Sequence, residues 1–256
     1  MSDVTEPLRS GGRFAITMTT DTVTKRGDPR ALAREAAGLR LITSRRLGAR
    51  LISAARGVVV TERIDGAHRQ LADLDASEAA ALGRFLRALH DSRRSATGGL
   101  PHWPTRVRSL ASYRRGRERD ALAAAGTDRG LAERIVAAAA APAPVREGRP
   151  FRLLHGDLVA ENILWSPSPR LIDFEFWRMG DPAEDLAYLV EVNGVPNAIV
   201  AAMLDGYAHR GVADRLDGWR PLCALDAGLW YRAASQPQRA ADLLARATRG
   251  AGLAPT

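Results

Sequence analysis

Residues 153–176 read LLHGDLVAENILWSPSPRLIDFEF, and no other stretch constrains the chain as tightly. The runs FRLL and NILW, and RLIDF after the turn SPSP, have the length and composition of short buried strands. Among them stand His155, Asp157, Asn162 and Asp173. Apolar strands bury what they flank, and a buried acid or amide is costly unless it is bonded. These polar residues are therefore expected at strand ends or in a tight loop, where they bind something. Two carboxylates and an amide oxygen are hard oxygen donors of the kind that suits Mg²⁺.

The segments around this stretch are of two kinds. Residues 13–26, RFAITMTTDTVTKR, are rich in Thr, Val, Ile and Phe and predict one or two strands. Asp28 and Pro29 then supply an N-cap and a proline at the first helical position. The helix they open, PRALAREAAGLRLI, places Leu32, Ala36 and Leu39 on one face, and Glu35 falls on that same face. A carboxylate there calls for a buried or half-buried partner. Residues 55–68, ARGVVVTERIDGAH, read as a buried strand running out into a connector. The next helix, DASEAAALGRFLRALH, opens on Asp75 and Glu78 at capping-box spacing and carries Leu82, Phe85, Leu86 and Leu89 as its apolar stripe.

Residues 104–140 predict helix with breaks at Gly116 and Gly126, followed by a Pro/Gly/charge loop over 141–150. From Asp181 onward the pattern is helical, with breaks expected at 193–196, at 211–218 and at Pro237. Strands thus cluster early and helices late, around a small hairpin. This predicts an α+β chain with a small β-rich lobe over residues 1–65 and a larger, mostly helical lobe over 66–256.

Of 37 basic residues 36 are arginine, and Lys25 is the single lysine. The formal net charge of +8 fits nucleic acid, a membrane surface or an anionic ligand, but the abundance of Ala, Arg and Gly also fits a nucleotide bias in the coding sequence. The basic run over residues 106–119 reads as a solvated helix face rather than a nucleic-acid site. No run of eighteen apolar residues suggests a membrane span, and the N-terminal residues do not resemble a signal peptide. One cysteine, Cys223, excludes an intrachain disulfide. A cytoplasmic protein with no membrane or nucleic-acid partner is expected.

HGDLVAENIL and LIDFE resemble the catalytic loop and metal-binding strand of the aminoglycoside phosphotransferase and choline kinase family, which shares its two-lobed fold with protein kinases. The spacing His-x-Asp-x-x-x-x-Asn falls on His155, Asp157 and Asn162, and the following aspartate on Asp173. GDPAEDLAYL resembles the helix start after the metal strand, and LGRFLRALH a family helix that ends in histidine. The resemblance runs discontinuously from about residue 11 to about residue 210.

It implies an ATP- and Mg²⁺-dependent kinase acting on a small-molecule hydroxyl. Asp157 would accept or orient the acceptor's proton, Asn162 and Asp173 would hold Mg²⁺, and His155 would brace the loop. Lys25 would contact the nucleotide phosphates and pair with Glu35. Residues 58–68 resemble the hinge between lobes, with Thr61 behind the adenine and Glu62 and Ile64 offering backbone groups to its edge. Ser10–Gly12 would form the turn over the phosphates. Asp185 is read as fixing the catalytic loop or capping a helix.

The acceptor is left open among aminoglycosides, amino sugars, other antibiotics and metabolites. Glu184, Glu191, Asp205, Asp214, Asp217 and Asp226 are expected to supply any acidic pocket, while the positive background favours a less cationic acceptor. A 5% aromatic content ranks a choline cage lower. Trp219, Trp230 and Tyr231 are read as core, with an acceptor-pocket wall as the alternative. Two other readings stand beside the kinase: an inactive nucleotide-binding protein, which the short stretch before Lys25 motivates, and a protein- or RNA-associated kinase, which the arginine run motivates.

Overall fold

The β-branched residues near the N-terminus pair into a five-stranded antiparallel sheet. Its strands are β1 (Glu6–Leu8), β2 (Phe14–Met18), β3 (Thr22–Gly27), β4 (Leu51–Ala55) and β5 (Val58–Glu62), in the spatial order β1-β2-β3-β5-β4. The structure is a computed structural model that describes residues 14–42, 46–140 and 149–254, and the backbone of 6–8. Ser10–Gly12 and most of the loop expected over 141–150 lie outside the described residues.

Helix α1 (Pro29–Ile42) follows β3 directly. Asp28 accepts hydrogen bonds from the Arg30 and Ala31 amides, both at 2.8 Å, so two of the helix's unpaired donors are satisfied. Leu32, Ala36, Leu39 and Ile42 are buried on its inner face, and Glu35 is buried among them. Strand β4 has no counterpart in the sequence reading. It lies at the sheet edge, is mostly exposed and contains a register irregularity between Leu51 and Ser53, so its LISAA sequence shows no inside–outside alternation.

The remainder of the chain is mostly helical. Helix α2 (Ala76–Ser92) begins with the complete capping box of Asp75 and Glu78. Strands β6 (Arg94–Ser95), β7 (Phe151–Leu154) and β10 (Arg178–Gly180) form a small sheet with β7 in the middle, and β8 (Ile163–Ser166) pairs with β9 (Ser168–Leu171) as a hairpin. All four residues of β7 are buried, as expected of a central strand that reads as a continuous apolar run. Helices α5 (Pro182–Asn193), α7 (Arg210–Ala233) and α8 (Pro237–Gly250) pack against one another, and Trp219, Tyr113 and Phe151 fill the core beside them. No described helix is long and apolar enough to cross a membrane.

Two expected helix breaks are absent. Helix α3 (Leu110–Ala124) runs straight through Gly116, and the expected break comes only at Gly126, where a short turn leads to α4 (Arg129–Ala138). A side chain at residue 116 would collide with the Trp103 ring, so this glycine serves packing, not termination. Helix α7 likewise continues through Gly211, Gly218 and Pro221. Most of its residues are buried, and burial outweighs the local propensity penalties.

Helices α2 and α6 (Asn197–Tyr207) pack at close range. A methyl group on Gly83 would overlap the Met203 carbonyl, and one on Gly206 would overlap the backbone of Ala80. Gly83→Ala is expected to destabilise the protein by about 1–3 kcal/mol through overpacking. Gly130→Ala, in a helix with open space around the added methyl, should leave stability unchanged or raise it by up to ~1 kcal/mol. Urea denaturation of both variants checks the contrast.

Candidate active site

Strand β7 delivers the chain into the loop 155–162, whose backbone is fastened from below. The buried Asp185 carboxylate, on α5, accepts from the amides of His155 at 2.7 Å and Gly156 at 2.9 Å, and lies 3.3 Å from His90 Nε2. His90 in turn contacts the Tyr207 hydroxyl at 2.8 Å, so it is a buried structural histidine. Gly156 has φ of +88°, and a side chain there would strike the Phe176 carbonyl and the Arg178 guanidinium.

His155 is fully buried against the Phe174 ring. Its Nε2 donates to the Ile172 carbonyl at 2.9 Å, which leaves Nδ1 to accept from the Asp157 amide at 3.3 Å. Both ring nitrogens are thus occupied in shaping the loop.

Asp157 is held on both carboxylate oxygens. Tyr188 donates to Oδ1 at 2.9 Å and Asn162 Nδ2 to Oδ2 at 3.1 Å; the same amide also donates to the Asp157 carbonyl at 2.9 Å. Burial pushes the Asp157 carboxyl above its usual range; the Asp173 charge adds to this, while His155, Tyr188 and Asn162 oppose it. Because Asn162 Nδ2 faces Asp157, its Oδ1 remains available for a ligand.

Lys25, Glu35 and Asp173 meet from three separate segments. Lys25 Nζ lies 2.9 Å from Glu35 Oε1 and 3.0 Å from Asp173 Oδ1. Burial alone would lower the lysine pKa, but the two carboxylates outweigh it and hold the group charged. Glu35 is raised, by burial first and by Asp173 as well, against the pull of Lys25. Asp173 takes the left-handed backbone conformation, φ 64°, which is unusual for a residue with a side chain.

One ammonium therefore faces two carboxylates. Glu35 Oε2 and Asp173 Oδ1 are buried without a well-aligned hydrogen bond, so the cluster has acceptor capacity and negative charge to spare. That suits a cation. Among the described residues no three His, Cys, Asp or Glu side chains gather as an all-protein metal cage. Mg²⁺ needs none, since it keeps water and phosphate oxygens and takes one or two protein donors. Asn162 and Asp173 fit that description, and the Ile172 amide, bonded to the Asn162 carbonyl at 3.1 Å, ties their segments together.

Glu62 and Ile64 stand apart from these groups. Glu62 lies three residues along β5 from Val59, the partner of Lys25 in the sheet, and its side chain binds Arg50 and Arg170. Ile64 is buried in the connector, and neither its N–H nor its C=O takes a partner among the described residues.

Asp157, Asn162 and Tyr188 open onto a cavity of about 530 Å³, whose far wall includes Asp226, Trp230 and Tyr231 of α7. Trp219 is core, whereas Trp230 and Tyr231 line the cavity. The acidic pocket expected from the late helices does not form. Glu184 is buried and bonded to Tyr113 at 2.8 Å, Arg117 at 2.7 Å and Arg178 at 2.8 Å; Glu191 pairs with Arg220. Of the six acids named, only Asp226 lines the cavity, and Arg117 neutralises it at 2.7 Å.

The basic run is a solvated face only in part: Arg106, Arg108, Arg115 and Arg119 are exposed, but two arginines turn inward. Arg114 is buried over the Trp219 ring and Arg117 lies between Glu184 and Asp226. Sequence reasoning missed Arg117, Arg178 and Tyr188. Tyr188 carried a signal: it follows Asp185 by three positions, which places both on the helix face toward the loop.

The model of the phosphotransferase enzyme family, APH, matches residues 20–225. The viomycin phosphotransferase of Streptomyces vinaceus is 33% identical over 96 residues, which are 35% of this chain and 33% of that protein, so the match spans about a third of that relative's length. Among solved structures, the choline kinase LicA from Streptococcus pneumoniae superposes with a TM-score of 0.70 at 16% identity, covering 97% of this chain and 92% of the other. The gentamicin complex of APH(2″)-IIa gives 0.69 at 14%, covering 98% and 93%, and a fructosamine-3-kinase from Thermobifida fusca gives 0.66 at 21%, covering 97% and 93%. At these identities the structural likeness is one of fold, and the fold is the two-lobed kinase-like one.

The loop's anchoring has a measurable consequence. Burial opposes ionisation of Asp185 and Glu184, but His90 for the former, and Arg178 and Arg117 for the latter, hold both carboxyls below the usual range. A depressed folded-state pKa gives stability that is full above the unfolded value and is lost as pH falls through the folded one. Asp185→Asn should cost at least about 2 kcal/mol at pH 7, because an amide cannot accept from both loop amides as the carboxylate does. In denaturant titrations the gap between wild type and variant should narrow as pH falls below the ordinary carboxylate range.

Proposed function

The chain belongs to the phosphotransferase enzyme family, and from that premise we propose that it transfers the γ-phosphate of ATP to a hydroxyl of a small molecule, with Mg²⁺. The observation that carries the reading is the convergence of Lys25 on Glu35 and Asp173, beside an Asp157 that opens onto a cavity. A spare negative charge and a buried ammonium at one point are costly for stability alone, and they suit a polyanion bound through a divalent cation.

In this reading the acceptor occupies the cavity with its hydroxyl toward Asp157. The carboxylate, fixed by Tyr188 and Asn162, orients that hydroxyl and takes its proton as the oxygen attacks phosphorus. Tyr188 is a positioning residue. Lys25 contacts the α- and β-phosphates, and Glu35 keeps its long side chain aimed. Asn162 Oδ1 and Asp173 would hold Mg²⁺, which when bound neutralises phosphate charge.

The adenine edge is assigned to the backbone at Glu62 and Ile64, supported by the unpaired N–H and C=O of Ile64. The lobes are assigned to residues 1–65 and 66–256. Aminoglycosides, amino sugars, other antibiotics including viomycin, and metabolites are the acceptor classes to screen. The work is assigned to the cytoplasm, where ATP is available.

Two substitutions test the reading. Asp157→Ala should lower transfer by about 10²–10⁴-fold while leaving the affinity for a non-hydrolysable ATP analogue nearly unchanged; full activity in the variant would remove Asp157 from its role. Lys25→Arg should lower kcat/KM for ATP by roughly tenfold or more, because a planar guanidinium cannot replace a point charge between two carboxylates. Arg26→Lys, next to it and exposed, should have no effect.

A further inference from the structure

We propose that a side pocket adjoining the acceptor cavity is an oxyanion subsite, built from Arg34, Arg106 and the hydroxyls of Ser95 and Thr97, that takes the carboxylate, sulfate or phosphate group of an anionic acceptor. The pocket measures about 330 Å³ and lies against the edge of the small β6-β7-β10 sheet. It shares Arg34, Pro101 and Arg178 with the main cavity, so the two are immediate neighbours.

Its lining carries three guanidiniums and no carboxylate. Arg178 is already matched by Glu184. Arg34 and Arg106 differ from Arg178 in the same pocket and from Arg117 beside it, while Arg239, on the main cavity alone, stacks on the Tyr231 ring. Arg34 donates to the Trp177 carbonyl at 2.8 Å and Arg106 to the Gly99 carbonyl at 3.2 Å, and neither forms an ion pair among the described residues. Arg117, Arg178, Arg215 and Arg220 all do. Burial and the nearby Arg178 charge depress the Arg34 guanidinium, with Glu175 the one acid acting against them, so an added anion would relieve the crowding.

The two hydroxyls complete the donor set. Ser95 Oγ accepts from the Thr97 amide at 3.1 Å, which leaves its own proton to donate, and Thr97 Oγ1 lies 3.5 Å away. Arginine forks and hydroxyls are the usual partners of carboxylates and tetrahedral oxyanions. The same geometry disfavours a polycation, whose charges would face unpaired guanidiniums.

The oxyanion site stands on its own geometry; its assignment to the acceptor rests on the phosphotransfer reading. Sulfate titrated calorimetrically into the full chain, saturated with Mg²⁺ and a non-hydrolysable ATP analogue, should bind one ion per chain. Arg106→Gln should weaken that binding at least tenfold, and Thr97→Val about threefold, with the analogue's affinity unchanged. No uptake, or uptake unaffected by Arg106→Gln, overturns the site. Transfer is then measured across matched neutral, cationic and anionic hydroxyl compounds. The anionic members should have the lowest KM, sulfate should compete with them, and Arg106→Gln should raise their KM tenfold at constant kcat. A preference for cationic members, or no competition by sulfate, overturns the assignment to the acceptor. A chain that binds sulfate but no nucleotide leaves the oxyanion site standing and sinks the phosphotransfer reading instead.

Discussion

A single ammonium joins three elements of this chain, two of them consecutive and the third far along the sequence. Lys25 comes from the N-terminal sheet, Glu35 from the helix packed on it, and Asp173 from the end of the β8-β9 hairpin, and the two carboxylates lie 2.9 and 3.0 Å from the ammonium. In water such an arrangement contributes little; in a site this enclosed its misplacement would be expensive. The relative position of the sheet, α1 and the hairpin therefore depends on that contact. So does the unusual backbone of Asp173, which the surrounding structure must hold in place.

The loop 155–162 follows the same logic at a second centre. Asp185 binds two successive loop amides, and the neighbouring Glu184 gathers Tyr113, Arg117 and Arg178. Adjacent residues of one helix thus face two jobs, one holding the loop and the other neutralising the arginines beneath the cavity. With the acids committed in this way, the cavity wall has few carboxylates left. The side pocket has none, and Arg34 and Arg106 there form no ion pair among the described residues.

Much of this was legible because it is local. The Asp28 cap, the Asp75–Glu78 capping box and the inward face of α1 depend on residues within one or two helical turns, and each appears where the spacing puts it. The loop and hairpin over 153–176 are legible for a similar reason: short apolar strands fix the position of the polar residues between them. Strand β4 was illegible because an exposed edge strand has no buried face to impose alternation. The continuity of α7 through Gly211, Gly218 and Pro221 was illegible because it is decided by burial against α5 and α8, not by its own propensities.

The sequence by itself determined which residues have the chemistry: a lone lysine, an inward glutamate, two aspartates and an asparagine at fixed spacing. Tertiary structure alone decided how the many arginines divide. Arg114 and Arg117 lie in a run that looks solvated, yet they turn inward, since buried Glu184 and Trp219 and half-buried Asp226 wait across the interface from helices more than sixty residues away. Arg34 and Arg106 form no ion pair with an acid among the described residues. Charge sign is written in the sequence, but whether a charge is paired depends on what folding places opposite it, because pairing falls off within a few ångströms while sequence separation does not limit it.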